Sequence, residues 1–159
     1  LVFANASLHW IGEHDTLFQR LADSLAEHGV LAVQMPRNSD APSHRMLAEV
    51  AGRRRWKERV GYRAAWRAVG EPESYLDLLT PSCRTVETWE TTYHHVLQGE
   101  DPVAEWVKGA AGRPFLDDLG DDAGEFFAEY ADAVRPHYRP RPDGTTVFPF
   151  RRLFIVAVR

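Results

Sequence analysis

One cysteine and two methionines among 159 residues leave little room for sulfur chemistry. Cys83 has no second cysteine to pair with, which excludes an internal disulfide and a CxxC metal pair. Such usage fits a reducing, cytoplasmic setting. Glycine offers no phosphate cradle. No two glycines stand two positions apart, so a GxGxxG fingerprint is absent, and no GK[ST] occurs. A self-contained nucleotide site is therefore not expected within these residues. A GxSxG nucleophile elbow is missing too. No apolar run reaches the ~18 residues of a membrane span, and no basic-then-apolar leader is seen. Positive charge is also short: the formal net charge is -4, so the chain as a whole is not a polycation built for nucleic acid.

Apolar and aromatic residues are well supplied. The chain is 44% hydrophobic, with 5 Trp, 8 Phe and 5 Tyr, the profile of a globular chain with a real core. A chain of this size buries roughly 70% of its unfolded surface. Leu1 to Asn5 is apolar without helical periodicity and reads as a buried parallel strand. Because the chain opens inside that run, it is expected to be the C-terminal part of something longer. Asp15 is an N-cap candidate for a helix carrying Leu17, Phe18, Leu21 and Leu25, with Gly29 as its left-handed C-cap. Val30 to Met35 is a second buried strand, stopped by Pro36, and completes a βαβ unit.

Pro42 opens a helix with Met46, Leu47 and Val50, and Pro72 another with Tyr75, Leu76 and Leu79. Thr85 to Leu97 reads as a long strand. Asp101-Pro102 starts a helix, and Asp121 or Asp122 caps the next. Asp143-Gly144 marks a turn before a last strand, Val147 to Val158, apolar on both faces at its end. The order β-α-β-α-α-β-α-α-β gives an α/β fold. Charge is segregated along it. Arg53 to Arg67 holds seven basic residues against Glu58, whereas Glu100 to Asp132 holds ten acidic residues against Lys108 and Arg113.

Open α/β sheets bind ligands outside the carboxyl ends of their strands, here Asn5 to Trp10 and Gln34 to His44. Asn5 and Ser7 offer hydrogen bonds, and Trp10 offers a flat surface for an adenine or a cation. The plain alternative is a capping Asn and a Trp over the core edge. His94 and His95 are adjacent on a strand and point to opposite faces, so they do not chelate one ion together. His44, His94 and His137 remain as donors for an anionic ligand. Cys83 has no local base to activate it. The basic segment, with Trp56, Tyr62 and Trp66, is either a solvated face or a surface for nucleic acid or an acidic partner. Arg151-Arg152 lie within an apolar strand. A buried arginine needs a partner, either a bound carboxylate or a structural one such as Glu87 or Glu90.

Phe3-Ala4-Asn5-Ala6-Ser7-Leu8-His9-Trp10-Ile11 resembles the segment after strand four of class I S-adenosylmethionine-dependent methyltransferases. Val30 to Pro36, then Asn38 and Pro42-Ser43-His44, extend the match. So do Trp89-Glu90-Thr91-Thr92-Tyr93, Trp106-Val107 and the tail Phe148 to Ala157. These narrow it to members that methylate a small polycarboxylic acid.

The resemblance implies the C-terminal half of a Rossmann-like sheet, strands four to seven, with strand seven antiparallel between five and six. A helical substrate cap is inserted before the last strand. Residues 1–100 would belong to the α/β domain, 101–142 to the cap and 143–159 to the final strand. The Gly-rich turn belongs to the family's other half. The implied cofactor is S-adenosyl-L-methionine, lined by Asn5, Ala6 and Trp10. The substrate residues would be Gln34, Asn38, His44, Tyr93, His94, Trp106 and Arg152, with no metal and no acid/base dyad. A carboxylate, with a reference pKa of about 4, is ionised already and needs no general base. The other readings are the same fold acting on another small acid, and a non-catalytic binder using Arg53 to Arg67. No membrane or nucleic-acid partner is expected, and a monomer is favoured.

Overall fold

The computed structural model describes residues 1–61 and 69–159. Four strands form one sheet in the order β1-β2-β4-β3: β1 Val2–Asn5, β2 Val30–Pro36, β3 Thr85–Leu97 and β4 Thr146–Val158. β1 and β2 are parallel, and β4 runs antiparallel to β2 with Gln34 opposite Phe154 and Pro36 opposite Arg152. A last strand inserted antiparallel between its predecessors is the topology that the resemblance implies.

The helices are α1 His14–Asp23, α2 Pro42–Ala51, α3 Lys57–Val60, α4 Pro72–Leu79, α5 Pro102–Gly109, α6 Arg113–Leu119 and α7 Ala123–Val134. The expected pair before β4 is thus a trio. Gly112 and Gly120 bracket α6 and leave seven residues, too short a stretch to display a period. Gly112 is dictated by packing, since a Cβ there would stand 2.6 Å from the Phe127 ring. Gly29 is not the expected cap. α1 stops at Asp23, the left-handed residue is His28 at φ +61°, and a Cβ on Gly29 would stand 2.7 Å from the Ala26 carbonyl oxygen.

The described residues form two compact units. One holds the chain up to Arg37, α4, β3 through Tyr93 and Phe150–Arg159. Its core is Leu31, Val33 and Met35 of β2, Leu153, Ile155 and Ala157 of β4, Phe18 and Ala22 of α1, and Tyr75 and Leu79 of α4. Alternation along the strands sends these side chains to the one face that α1 and α4 pack. β1 was expected to be buried throughout. It alternates instead, with Val2 and Ala4 against the core and Phe3 69% exposed on the other face.

The second unit holds α2, α3 and the span His94–Pro149. α7 packs on α2 and α5, and Trp56, Phe115, Phe126 and Phe127 supply an aromatic core. Trp56 meets Phe126 edge-on at 5.5 Å, an arrangement favoured by the ring quadrupoles. The two charged segments answer each other here. Arg53 bonds Glu129 at 3.0 Å, Arg55 pairs with Glu125 and Arg59 with Asp122. These three arginines find their acids on the same chain. Tyr62, Arg63, Trp66 and Arg67 lie outside the described residues. Among the described residues no helix is long and apolar enough to cross a membrane.

Candidate functional site

β1 and β2 end side by side, with Asn5 paired to Gln34. Ala6 then leaves the strand at φ +50°, a left-handed backbone that costs a residue with a Cβ about 1–2 kcal/mol. Its N–H donates to the Gln34 carbonyl at 2.9 Å. Strain of this kind, held in place by a strand bond, is common at ligand sites. The chain continues into a 3-10 turn, Leu8–Trp10, closed by bonds from Trp10 N–H to Ser7 O at 3.2 Å and Ile11 N–H to Leu8 O at 2.9 Å. Trp10 stays 48% exposed, its indole tilted on the His9 ring with centroids 4.7 Å apart. Asn5, Ala6 and Trp10 are therefore gathered on one short stretch beyond β1, with the Asn5 side chain exposed.

A relay of buried groups fixes that turn. His14 Nε2 lies 3.1 Å from the Leu8 carbonyl, which can only accept, so the proton sits on Nε2. Nδ1 is then left to accept from the Tyr75 hydroxyl at 2.5 Å. The same hydroxyl accepts the Gly70 N–H at 3.0 Å. Burial, above all, raises the Tyr75 phenol above its ordinary range.

Arg152 faces this rim from β4. Its Nη1 donates to Gln34 Oε1 at 2.9 Å, and its guanidinium lies 5.4 Å from the Tyr93 ring and 5.3 Å from the Phe150 ring. The structural carboxylates weighed against a ligand do not serve it. Glu90 bonds Arg37 Nη1 at 2.9 Å and lies 3.6 Å from Arg151. Arg37 also pairs with Glu71, and its Nε donates to Gly70 O at 2.9 Å. Among the described residues no carboxylate stands within ion-pairing distance of Arg152.

The remaining four candidates lie in the helical unit. Asn38 is buried, its carbonyl accepting from Ala41 N–H at 2.9 Å. Ser43 and His44 sit at the start of α2, with Ser43 Oγ 3.1 Å from His44 Nδ1. Ser43 is anchored by a bond from Tyr130 Oη to its carbonyl at 3.0 Å and by its own N–H to Tyr138 Oη at 3.2 Å. Burial lowers the His44 pKa to about 4, against a smaller opposing pull from Asp40. Its imidazole is therefore neutral at pH 7. Trp106 packs on His95 at 4.6 Å and edge-on to Phe148 at 5.9 Å, whereas His94 is exposed. Cys83 is buried, and desolvation pushes its thiol up, the opposite of activation.

Sequence reasoning gave no role to His9 or Arg37, and it weighed Glu90 only as a partner for the Arg151-Arg152 pair. His9 lies inside the motif Phe3–Ile11, flanked by Leu8 and Trp10, and that apolar flanking was its only signal.

The chain is 47% identical to a protein of Streptomyces avermitilis over 159 residues, covering 99% of this chain and 59% of the relative. An Azoarcus protein is 42% identical, with 100% and 62% covered. Both relatives are trans-aconitate 2-methyltransferases. The likeness runs the whole length of the chain, as the tail and strand motifs implied. The chain spans about 60% of the length of these curated relatives. No family model matches it. Among solved structures, the YcgJ protein of Bacillus subtilis aligns with 99% of this chain and 62% of its own, at a TM-score of 0.52 and 10% identity. That likeness concerns the fold alone.

Proposed function

We propose that this chain is part of a methyltransferase that esterifies one carboxylate of trans-aconitate or a related small polycarboxylic acid, using S-adenosylmethionine. The observation that carries the reading is Arg152, a guanidinium between two aromatic rings with Gln34 as its bonded partner and no carboxylate of the described chain beside it. A charge so placed needs an anion, and the planar fork matches both oxygens of a carboxylate. The relatives' names supply the acid.

The residues past β1 fit part of a nucleoside site. They offer an exposed indole face, an exposed amide and a backbone turn tight enough to bring N–H groups close. Bound S-adenosylmethionine would supply a sulfonium methyl that passes to a carboxylate oxygen as the carbon–sulfur bond breaks and its electron pair stays on sulfur. No proton has to move, so the protein contributes position rather than acid or base. Arg152 and Gln34 orient the acid. Asn5, Ala6 and Trp10 hold the other substrate.

The test is transfer of labelled methyl from S-adenosylmethionine to trans-aconitate by the intact enzyme, read as a base-labile ester. Citrate, cis-aconitate and monocarboxylates serve as competitors. Turnover on trans-aconitate, or on another small polycarboxylate, supports the reading. Labelling only of protein, nucleic acid or an amine overturns it.

A further inference from the structure

Gln34 and His9 each hold a polar nitrogen that is enclosed by protein and has no hydrogen-bond partner, Gln34 Nε2 and His9 Nδ1. The Gln34 carboxamide cannot turn round to relieve this. Its oxygen accepts from Arg152 Nη1 at 2.9 Å, and a guanidinium has only donors to offer, so Nε2 is held as an unmet donor. Gln34 is 6% exposed, which removes water as a ready substitute. A buried polar group left unpaired is costly, and such groups are rare in native proteins.

The turn that carries His9 packs against β2, the strand that carries Gln34. Leu8, the residue before His9, is fixed by the bond from His14 Nε2 at 3.1 Å, and Trp10, the residue after it, lies against its ring. His9 also feels the Arg152 charge. Burial first, then His14 and Arg152, lower its pKa below the ordinary imidazole value. The ring is therefore neutral at pH 7, and its Nδ1 can carry the proton toward an acceptor.

We infer that His9 is a substrate-binding residue: its Nδ1–H and Gln34 Nε2 complete, with the Arg152 guanidinium, a three-donor receptor for one carboxylate of the acid. The inference rests on the function proposed above and adds to it the residue that recognises the anion beside Arg152. Three donors and no acceptor make the cluster incomplete without an anion. A single positive charge among them matches one carboxylate rather than a phosphate dianion. Two neutral donors sharpen geometry without the cost of more buried charge.

Calorimetric titration of the intact enzyme with trans-aconitate, beside steady-state kinetics, tests it with three variants. His9→Leu removes the donor, and its KM and dissociation constant for the acid should rise roughly ten- to a hundredfold, the size of one bond to a charged group. The KM for S-adenosylmethionine should hold. His9→Asn keeps an N–H near the Nδ1 position and should restore most of the affinity, which a merely packing role for the ring would not allow. Gln34→Glu gives Arg152 an internal carboxylate. It should fold with an unchanged or higher Tm and lose acid binding, so it decides the matter if His9→Leu fails to fold.

Normal acid affinity in a folded His9→Leu overturns the inference while leaving the proposed function standing, whereas normal affinity in Gln34→Glu overturns the inference together with the acid-binding role given to Arg152 and Gln34. A wild-type enzyme that neither binds nor methylates any of a panel of small carboxylic acids overturns both.

Discussion

Glu90 lies 2.9 Å from Arg37 and 3.6 Å from Arg151, whereas among the described residues no carboxylate stands within ion-pairing distance of Arg152. The three arginines differ in where they stand. Arg37 follows β2, with its side chain 8% exposed, and is met by Glu71, Glu90 and the Gly70 carbonyl. Arg151 donates from Nε to the Arg37 carbonyl at 3.0 Å. Alternation along β4 turns Arg152 to the opposite face, against Gln34. One is a structural hub, one ties β4 to the residue after β2, and one faces Gln34 with no carboxylate of the described residues beside it.

Glu90→Gln should therefore damage stability and spare the ligand site. Arg37 would keep Glu71 but lose a charge-assisted bond in a nearly dry setting, costing about 1–2 kcal/mol because the Glu90 side chain keeps some solvent. Urea unfolding should show a lower midpoint. KM for the acid should be unchanged in the folded enzyme, and a large rise would mean that Glu90 acts at the site.

Arg152→Lys should do the reverse. An ammonium keeps the charge but not the planar fork, and it is more strongly hydrated. Losing one charge-assisted bond of about 1.5–3 kcal/mol lowers kcat/KM for the acid roughly ten- to a hundredfold. The Tm should stay nearly constant, since no carboxylate of the described chain depends on this side chain. A destabilised variant with normal kinetics would return Arg152 to the structure.

That distinction was out of reach of the sequence, where Arg151 and Arg152 are neighbours in an apolar run and Glu87 and Glu90 are equal choices. It depends on register, Pro36 opposite Arg152, and register is a long-range property. The strands themselves were legible because Val30 to Met35 is apolar, bounded by Gly29 and Pro36, and separated from β1 by one amphipathic helix. Their burial was less so. An apolar run announces that both faces are suited to packing, yet Phe3 shows that only one face of β1 is packed by the described helices. Arg53 and Glu129 were visible as charges, but their contact joins segments 76 residues apart. His9 was hidden differently, since an unmet nitrogen is a statement about neighbours that no motif records.

Trp10→Ala should weaken the enzyme for S-adenosylmethionine more than for the acid. The indole is 48% exposed beyond β1, beside the strained Ala6 turn, where it can cover an adenine or a sulfonium. Contacts of that kind contribute roughly 0.5–2 kcal/mol, so the KM for S-adenosylmethionine should rise about two- to thirtyfold. Separate Michaelis constants decide it. Equal effects on both substrates would mean that the indole only props the turn.

His44 gives the helical unit an acid-sensitive point with a definite sign. Its ring keeps some surface, yet the protein packed around it lowers the pKa from 6.5 to about 4, with Asp40 pulling weakly the other way. Between those values the unfolded chain binds a proton that the folded one refuses, so stability falls as pH falls. His44's contribution is complete above pH 6.5, declines through the window and is lost near pH 4. Allowing for residual exposure, the group accounts for about 2–3 kcal/mol across it. His44→Gln, which cannot titrate, should flatten the stability profile in that window. It should leave the profile above pH 7 with the wild-type slope, whatever its constant offset. Urea midpoints measured from pH 7.5 down to 4.5 on both proteins separate the outcomes. Parallel profiles would mean that His44 accepts its proton in the folded state as readily as in the unfolded chain.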